Sequence, residues 1–229
     1  DGLVSSPGFT YIMVPRVDYF TPASAGAGTT VRVTGINFDQ VTSVKFGGIE
    51  AASFKVLSNT TIEAVLAAGG AGAVSVTNLG GTGELKGFTF IPLPAISSVD
   101  PLLGGKGTEI NIYGTNFLTT HTVSIGNKVV TSFKVLSANH ITAYVADGAT
   151  DGKVTVSTLG GSGSFDGFRF ILPPVISSFL PREAIAGVSV LISGTNLGDV
   201  KAVSFGGKAA ASFSILSPTS ISAVVAAGS

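Results

Sequence analysis

The chain repeats nearly the same sequence three times, at a spacing of about 80 residues. Each copy has a short segment rich in Val and Ile that runs into Gly-x-Asn. The glycines of this motif are Gly35, Gly114 and Gly194, at spacings of 79 and 80 residues. A second shared segment, Ser-Phe-x-Val/Ile-Leu-Ser, begins 18 residues after each of these glycines. This period is longer than that of solenoid repeats and matches the size of a small domain. The sequence therefore predicts an array of similar domains.

The composition restricts the classes of partner. The 229 residues include 13 basic and 13 acidic side chains, so the chain carries no net charge and is only 11% charged. A surface of this kind has no field that would attract nucleic acid or an anionic membrane, and neither is expected as a partner. Prolines interrupt the longest apolar runs, so no membrane insertion by this segment is predicted. Because the chain has no cysteine, each domain must be stable through burial alone.

Each repeat has the pattern of a β-sandwich. Apolar and polar residues alternate before Gly35, as in a strand with one buried face. In the Gly-x-Asn turn, glycine is expected to supply a positive φ, asparagine a side-chain hydrogen bond, and the next residue a core side chain. Thirty-one glycines favour short strands and tight turns. Seven short strands per repeat fit an immunoglobulin-like sandwich, without the cysteines and tryptophan of antibody domains.

Several motifs at fixed offsets resemble those of a known family. Pro94–Pro101, Gly-x-Asn-Phe, Val44–Gly48 and the closing Gly-Phe-x-Phe of Gly87–Phe90 are similar to those of the IPT/TIG domain, an early-set immunoglobulin-like fold. The resemblance implies an all-β chain of tandem IPT/TIG β-sandwich domains in a rod-like array, as in a bacterial-type cell-surface protein. Relatives of this domain occur in plexin-type receptors, transcription factors, starch-acting enzymes and glycan-binding proteins, so the resemblance implies a fold and leaves several functions open.

The motifs also give the expected domain boundaries. The linkers Ile91–Pro94 and Leu172–Pro174 join the repeats without a flexible spacer, and proline stiffens such segments. The predicted units are residues 1–15, the closing strand of a preceding or neighbouring domain; residues 16–93 (repeat 1); residues 94–173 (repeat 2); and residues 174–229 (repeat 3), which lacks its closing strands.

No group of residues predicts catalysis, a cofactor or a metal site. His121 and His140 lie outside the repeated scaffold and are interpreted as solvated turn residues. Asp147–Gly152 resembles a calcium loop only superficially, because it lacks the distal bidentate acid. Gly80–Gly83 precedes a strand where a phosphate-binding loop would open a helix, so it is interpreted as a turn. The chain is therefore predicted not to be an enzyme.

The repeats are out of phase with the ends of the chain. Gly8–Pro15 aligns with the closing strand of the other repeats, and repeat 3 ends after its fifth strand. Two explanations remain open: neighbouring sequence in a longer repeat protein completes each domain, or the N-terminal strand completes repeat 3 of the next copy by strand addition. The residues predicted to form this inter-subunit contact are Phe9, Tyr11, Ile12 and Met13.

These observations predict a non-catalytic extracellular structural protein. It would form a filament, stalk or adhesin segment at the cell surface, with itself or adjacent repeats as head-to-tail partners. The alternative is a surface glycan-binding scaffold, for which a planar patch of exposed aromatic residues would be evidence. An enzyme is the third and least favoured interpretation.

Overall fold

The computed structural model describes Gly8 and residues 11–228, and the regular secondary structure of these residues is entirely β-strand. Each sequence repeat forms its own β-structure with its own core. The predicted tandem arrangement of all-β, immunoglobulin-like units is therefore confirmed.

Repeat 1 is a sandwich of a four-stranded and a five-stranded sheet. Its strands are β1 (Arg16–Thr21), β2 (Ser24–Ala25), β3 (Thr30–Ile36), β4 (Ser43–Phe46), β5 (Ile49–Glu50), β6 (Ser53–Ser58), β7 (Thr61–Val65), β8 (Gly72–Asn78) and β9 (Gly81–Phe90). One sheet has the order β1-β3-β7-β6 and the other the order β2-β9-β8-β4-β5. The pairs are antiparallel except β2 and β9, which run parallel. The four-stranded order is that of the A, B, E and D strands of immunoglobulin domains.

Repeat 2 has the same topology. Its strands are β10 (Ala95–Asp100), β11 (Leu103–Gly104), β12 (Glu109–Thr115), β13 (Thr120–Ile125), β14 (Lys128–Val129), β15 (Ser132–Ser137), β16 (His140–Tyr144), β17 (Gly152–Thr158) and β18 (Gly161–Phe170). The sheets have the orders β10-β12-β16-β15 and β11-β18-β17-β13-β14.

Repeat 3 has a complete first sheet and a single hairpin in place of the second. Its strands are β19 (Val175–Leu180), β20 (Ser189–Thr195), β21 (Ser204–Phe205), β22 (Lys208–Ala209), β23 (Ser212–Ser217) and β24 (Ser220–Val224). The sheet has the order β19-β20-β24-β23, and β21 pairs with β22 alone among the described residues. The cores of repeats 1 and 2 each contain fourteen buried apolar residues, whereas that of repeat 3 contains six, so repeat 3 buries a much smaller core.

Period-two alternation accounts for the way the sheets face each other. Val31 and Val33 on β3 are fully buried, and Arg32 between them is exposed. Ile110 and Ile112 repeat this arrangement on β12. The apolar faces of the two sheets therefore enclose the core of each complete repeat.

The Gly-x-Asn turn differs from the prediction in one respect. Asparagine, not glycine, has the positive φ: it is 61° at Asn37, 65° at Asn116 and 58° at Asn196. The glycine is needed for close approach instead, because a Cβ at Gly114 would lie 2.0 Å from the main-chain oxygen of Ala95. The predicted core position after the asparagine is confirmed, since Phe117 is fully buried.

The complete repeats contain nine strands, not the seven predicted. The two additional strands in repeat 1, β2 and β5, are two residues long, which is too short for an alternating pattern to be visible in sequence. The glycine cluster Gly80–Gly83, predicted to be a turn, is only partly one. Only its start lies in the turn, and Gly81–Gly83 begins β9.

Candidate assembly interface

The linker before each repeat is attached to that repeat by the Gly-x-Asn asparagine. The side-chain amide Nδ2 of Asn37 donates to the carbonyl oxygen of Val14 at 3.0 Å, and Nδ2 of Asn116 donates to that of Leu93 at 2.8 Å. In repeat 3 the corresponding bond runs from Asn196 at 3.0 Å. The linker geometry is therefore set by a residue of the following repeat, at all three junctions.

The same linker lies closely against the glycine cluster at the start of the last strand. This contact, Gly83 with Pro15 in repeat 1 and Gly163 with Pro94 in repeat 2, is called the linker seat. A Cβ at Gly163 would lie 2.1 Å from the carbonyl oxygen of Pro94, and a Cβ at Gly83 would lie 1.9 Å from that of Pro15. The linker main chain can approach so closely only because these positions carry no side chain. Pro15 is correspondingly buried. The cluster thus holds the linker as well as forming a turn, a role that its sequence alone did not indicate.

The first sheet of repeat 3 exposes residues that the other repeats bury. Val17 on β1 is 4% exposed, whereas its counterpart Ile176 on β19 is 59% exposed. Phe20 is 6% exposed, whereas its counterpart Phe179 is 48% exposed. Phe205 on β21 is half-buried. Large apolar side chains on this face therefore remain in contact with solvent.

These residues surround a groove of about 440 Å³. It lies between β19 and β21, where the closing strands lie in the other repeats, and its apolar lining includes Ile176, Phe179, Ile192, Val203, Phe205 and Ile221. An apolar groove of this kind is usually a site of contact with other protein segments.

The groove also has a free sheet edge. In repeats 1 and 2 the counterparts of β21 pair with β8 and β17 on the side opposite the hairpin. No described residue pairs with that edge of β21. Residues 183–184 correspond to β11 of repeat 2 but form no strand. In repeat 2, β11 forms by parallel pairing with β18, and no described residue of repeat 3 takes the place of β18. Hydrogen-bonding groups for an added strand are thus present beside the apolar groove.

The predicted inter-subunit residues are only partly described. Phe9 lies outside the described residues. Tyr11 is 73% exposed and corresponds to Phe90, which packs against the core of repeat 1. Ile12 and Met13 lie in the linker and contact repeat 1 through their main chain: the carbonyl oxygen of Met13 accepts a hydrogen bond from Asn78 at 3.0 Å. Residues 11–15 form no strand in this structure.

The junction between repeats 2 and 3 has an additional ion pair. Arg169 on β18 contacts the carboxylate of Asp199 in repeat 3. The positions corresponding to this pair at the first junction are Thr89 and Thr119, which cannot form it. Both junctions therefore have the asparagine hydrogen bond, but only the junction of repeats 2 and 3 has this ion pair.

The two histidines and the acidic turn Asp147–Gly152 do not form a catalytic or metal-binding group among the described residues. Both histidines lie in strands, so their assignment to turns was wrong: His121 lies on β13 and His140 on β16. Asp147 pairs with Lys106 at 2.9 Å, and this hydrogen bond and charge lower the pKa of the carboxyl group. No group of three potential metal ligands occurs among the described residues. No helix of the described chain is long and apolar enough to cross a membrane.

The sequence matches the family model of the IPT/TIG domain twice, over residues 15–90 and 94–171. These matches cover more than half of the chain, and they fall on the two sandwiches described above. The chain therefore belongs to the IPT/TIG domain family. No curated protein sequence is significantly similar to it.

Similar solved structures include two SGBP-B proteins and the extracellular region of a plexin. A protein designated SGBP-B, from a xyloglucan utilization locus of Bacteroides uniformis, is 20% identical over 81% of this chain and 58% of its own, with a TM-score of 0.32. The SGBP-B of Bacteroides ovatus with a mixed-linkage heptasaccharide is 19% identical over 100% and 60%, with a TM-score of 0.31. The plexin A4 extracellular region is 21% identical over 98% and 22%, with a TM-score of 0.41. The chain spans less than two thirds of each protein, and the TM-scores are low, so these structures carry no functional argument.

Proposed function

We propose that the chain is a non-catalytic structural segment of an extracellular, cell-surface array. In this proposal the open face of repeat 3 is covered by the closing strand at residues 1–15 of a second copy, joined head to tail. The observation that carries the proposal is the exposed apolar groove around Ile176 and Phe179. The array would act as a filament, stalk or adhesin segment.

The attachment of residues 12–15 to repeat 1 supports this proposal. Asn37 holds Val14 on repeat 1 as Asn116 holds Leu93 on repeat 2. Residues 12–14 lie against Gly80 and Gly81 of repeat 1 as residues 91–93 lie against Gly160 and Gly161 of repeat 2. At the junction of repeats 1 and 2, residues 91–93 directly follow β9, the closing strand of the preceding domain.

Ring contacts inside repeat 1 identify the pairs expected across the interface. Phe88 on β9 lies against Phe20, with ring centroids 6.1 Å apart. Phe9 corresponds to Phe88, and Phe179 corresponds to Phe20, so Phe9 of one copy is expected beside Phe179 of the next. Burying Phe9 and Tyr11 would contribute about 3–6 kcal/mol before the cost of ordering the strand.

A single added strand would not fill both positions that β17 and β18 occupy in repeat 2. In repeat 2, β18 bonds to β11 on one side and to β17 on the other, and β17 in turn bonds to β13. In sequence, residues 2–11 correspond to β18, and no described residue of repeat 3 corresponds to β17. The added strand must therefore either pair with residues 183–184 or move next to β21. The alternative is that a two-stranded hairpin from adjacent repeats of a longer chain supplies both positions.

Cross-linking of the full chain tests the contact between copies. Because these 229 residues contain no cysteine, Phe9→Cys with Phe179→Cys places the only two thiols at the proposed pair. A short bismaleimide should convert this double variant into a ladder of oligomers. Thr10→Cys with Phe179→Cys is the matched control, since Thr10 corresponds to the exposed Thr89 and should point away. Equal ladders from both variants, or a failure of the unsubstituted chain to associate in light scattering at high concentration, would overturn the contact.

Peptides distinguish the two proposed sources of the strands that would cover repeat 3. A peptide of residues 1–15 and a hairpin peptide of residues 151–171, which contains β17 and β18, are titrated separately into the chain. Protection of the β19 and β21 amides from hydrogen exchange by the first peptide supports the copy-to-copy contact. Protection by the hairpin alone would instead show that adjacent repeats of a longer protein complete repeat 3.

Binding of a surface glycan is the second candidate function. A cluster of exposed aromatic and polar side chains on the outer face of repeat 2, around Tyr113 and His140, favours it. This cluster lies on the four-stranded sheet of repeat 2, away from the groove of repeat 3, so the two functions are compatible.

A further inference from the structure

The outer face of the four-stranded sheet in repeat 2 carries two solvent-facing groups of aromatic and polar residues. Tyr113 on β12 stacks on His140 on β16, with ring centroids 4.5 Å apart and 19° between the ring planes. Nε2 of His140 donates to Oδ1 of Asn111 at 2.9 Å. The hydroxyl of Tyr144 donates to Oε2 of Glu109 at 2.8 Å. These five residues are called the repeat 2 patch.

The fold does not require the repeat 2 patch. The sheet pairs that correspond to Tyr113–His140 are Thr34–Thr61 in repeat 1 and Ser193–Ser220 in repeat 3. All three sheets form with the same strand order. The aromatic pair is therefore an addition to the scaffold, on a face that packs against no other described sheet.

The patch has an aromatic residue at each end and polar residues between them. Tyr144 lies four residues beyond His140 on β16, which places it about 14 Å along the strand from the Tyr113–His140 pair. Asn111 and Thr142 are paired between the two ends, facing the same side. Asp100 and Lys134 extend this polar row onto the two outer strands. The surface is longer than one sugar ring.

We propose that the repeat 2 patch binds a neutral oligosaccharide, an inference that rests on the second candidate function. A pyranose ring has an apolar C–H face that packs on an aromatic ring, and Tyr113 and Tyr144 offer such rings at a spacing suited to a chain of sugars. Its hydroxyl groups both donate and accept. Glu109 provides acceptors, and Asn111 accepts through Oδ1, which leaves its amide N–H groups as donors.

The charges of the patch favour a neutral ligand over an acidic one. Glu109 and Asp100 are both carboxylates, and Lys134 is the single cation in the polar row. An anionic polysaccharide placed along this row would meet two like charges and one opposite charge. Its binding would therefore be weaker than that of an uncharged chain of the same length.

Nuclear magnetic resonance titration of the full chain tests this site. The probes are cellohexaose, xylohexaose, mannohexaose and maltohexaose, with hexagalacturonate as the anionic comparison. At least one neutral probe should shift the amide signals of β12 and β16 and should bind more tightly than hexagalacturonate. Tyr113→Thr introduces the residue that repeat 1 carries at this position, so folding is expected to be retained. It should weaken binding roughly tenfold or more.

Tyr19→Ser is the matched control. Tyr19 is 60% exposed on the outer face of repeat 1, and repeats 2 and 3 carry serine at the same position. This variant should bind as the natural chain does. Unchanged affinity of Tyr113→Thr, with shifts elsewhere, would overturn this site while retaining glycan binding by the chain. The absence of binding by all four neutral probes would overturn both this site and glycan binding by the chain. It would leave the cross-linking test of assembly unaffected.

Discussion

The side-chain amide of Asn116 donates to the carbonyl oxygen of Leu93 at 2.8 Å, and so joins the end of β12 to the linker that enters repeat 2. The same residue has a φ of 65°, a conformation that asparagine tolerates better than most residues. One residue therefore forms the turn and attaches the linker from the preceding domain. The equivalent bonds of Asn37 and Asn196 give the other junctions the same attachment.

Asn116→Ala should destabilise repeat 2 and loosen the junction. Alanine at a positive φ costs about 1–2 kcal/mol, and loss of the hydrogen bond costs about 1 kcal/mol. Asn116→Gly should recover most of the conformational part, because glycine accepts a positive φ, but not the hydrogen bond. Urea unfolding measures the free energies, and residual dipolar couplings measure the order of repeat 1 relative to repeat 2. Equal stability of the alanine and glycine variants would show that the positive φ makes no separate contribution.

Gly163→Ala should displace the linker from its seat. The new Cβ would lie 2.1 Å from the carbonyl oxygen of Pro94, a main-chain atom that cannot move without distorting the linker. The expected loss of stability is about 1–3 kcal/mol, the usual cost of overpacking. Gly198→Ala is the control, because the nearest atom to its new Cβ is 3.7 Å away. Thermal unfolding of both variants checks the difference, and a comparable loss in the control would argue against the seat.

Several of the longer strands could be predicted from sequence because their residues alternate as in a strand with one buried face. Val31, Arg32 and Val33 alternate as they do in the structure. The family motifs then placed these strands in an immunoglobulin-like order, including the A strand, which carries little alternation. The short strands β2 and β5 could not be predicted, because their pairing depends on a partner distant in sequence, such as β9 for β2.

The candidate sites depended on which residues face each other across strands, and this was visible only in the structure. Tyr113 and His140 lie 27 positions apart in sequence and become neighbours through the pairing of β12 with β16. His140 was therefore interpreted as an isolated turn residue. The linker seat is not visible in the sequence for a similar reason, because Gly163 and Pro94 lie 69 positions apart and meet only in the folded chain. Comparison of the three repeats could have found the patch, since Thr34 and Ser193 mark Tyr113 as unusual.

The same core position should respond differently in repeats 1 and 3. Phe20→Ser removes a buried ring and should cost about 3–5 kcal/mol, whereas Phe179→Ser alters a residue that is half exposed and should cost much less in the unassembled chain. If strand addition covers repeat 3, Phe179→Ser should also reduce association. Urea unfolding and light scattering over a range of concentrations measure the two effects. A large loss of stability for Phe179→Ser in the dilute monomer would contradict its exposed position.

Glu109→Gln should change the alkaline titration of repeat 2. The Glu109 carboxylate accepts the hydrogen bond of the Tyr144 hydroxyl, and this bond and its charge raise the pKa of Tyr144 above the ordinary value for tyrosine. A raised pKa means that the folded chain holds the phenol proton more tightly than the unfolded chain. The associated stability is present below the unfolded-state pKa and is lost as pH rises through the folded-state pKa. In the variant the Tyr144 pKa should fall, and stability should decline less steeply at alkaline pH, as measured by carbon-13 tyrosine spectra and urea unfolding. Glu84→Gln, which removes an exposed carboxylate in repeat 1, should leave the Tyr144 titration unchanged. An unchanged Tyr144 pKa in Glu109→Gln would show that Glu109 does not control this hydroxyl in solution.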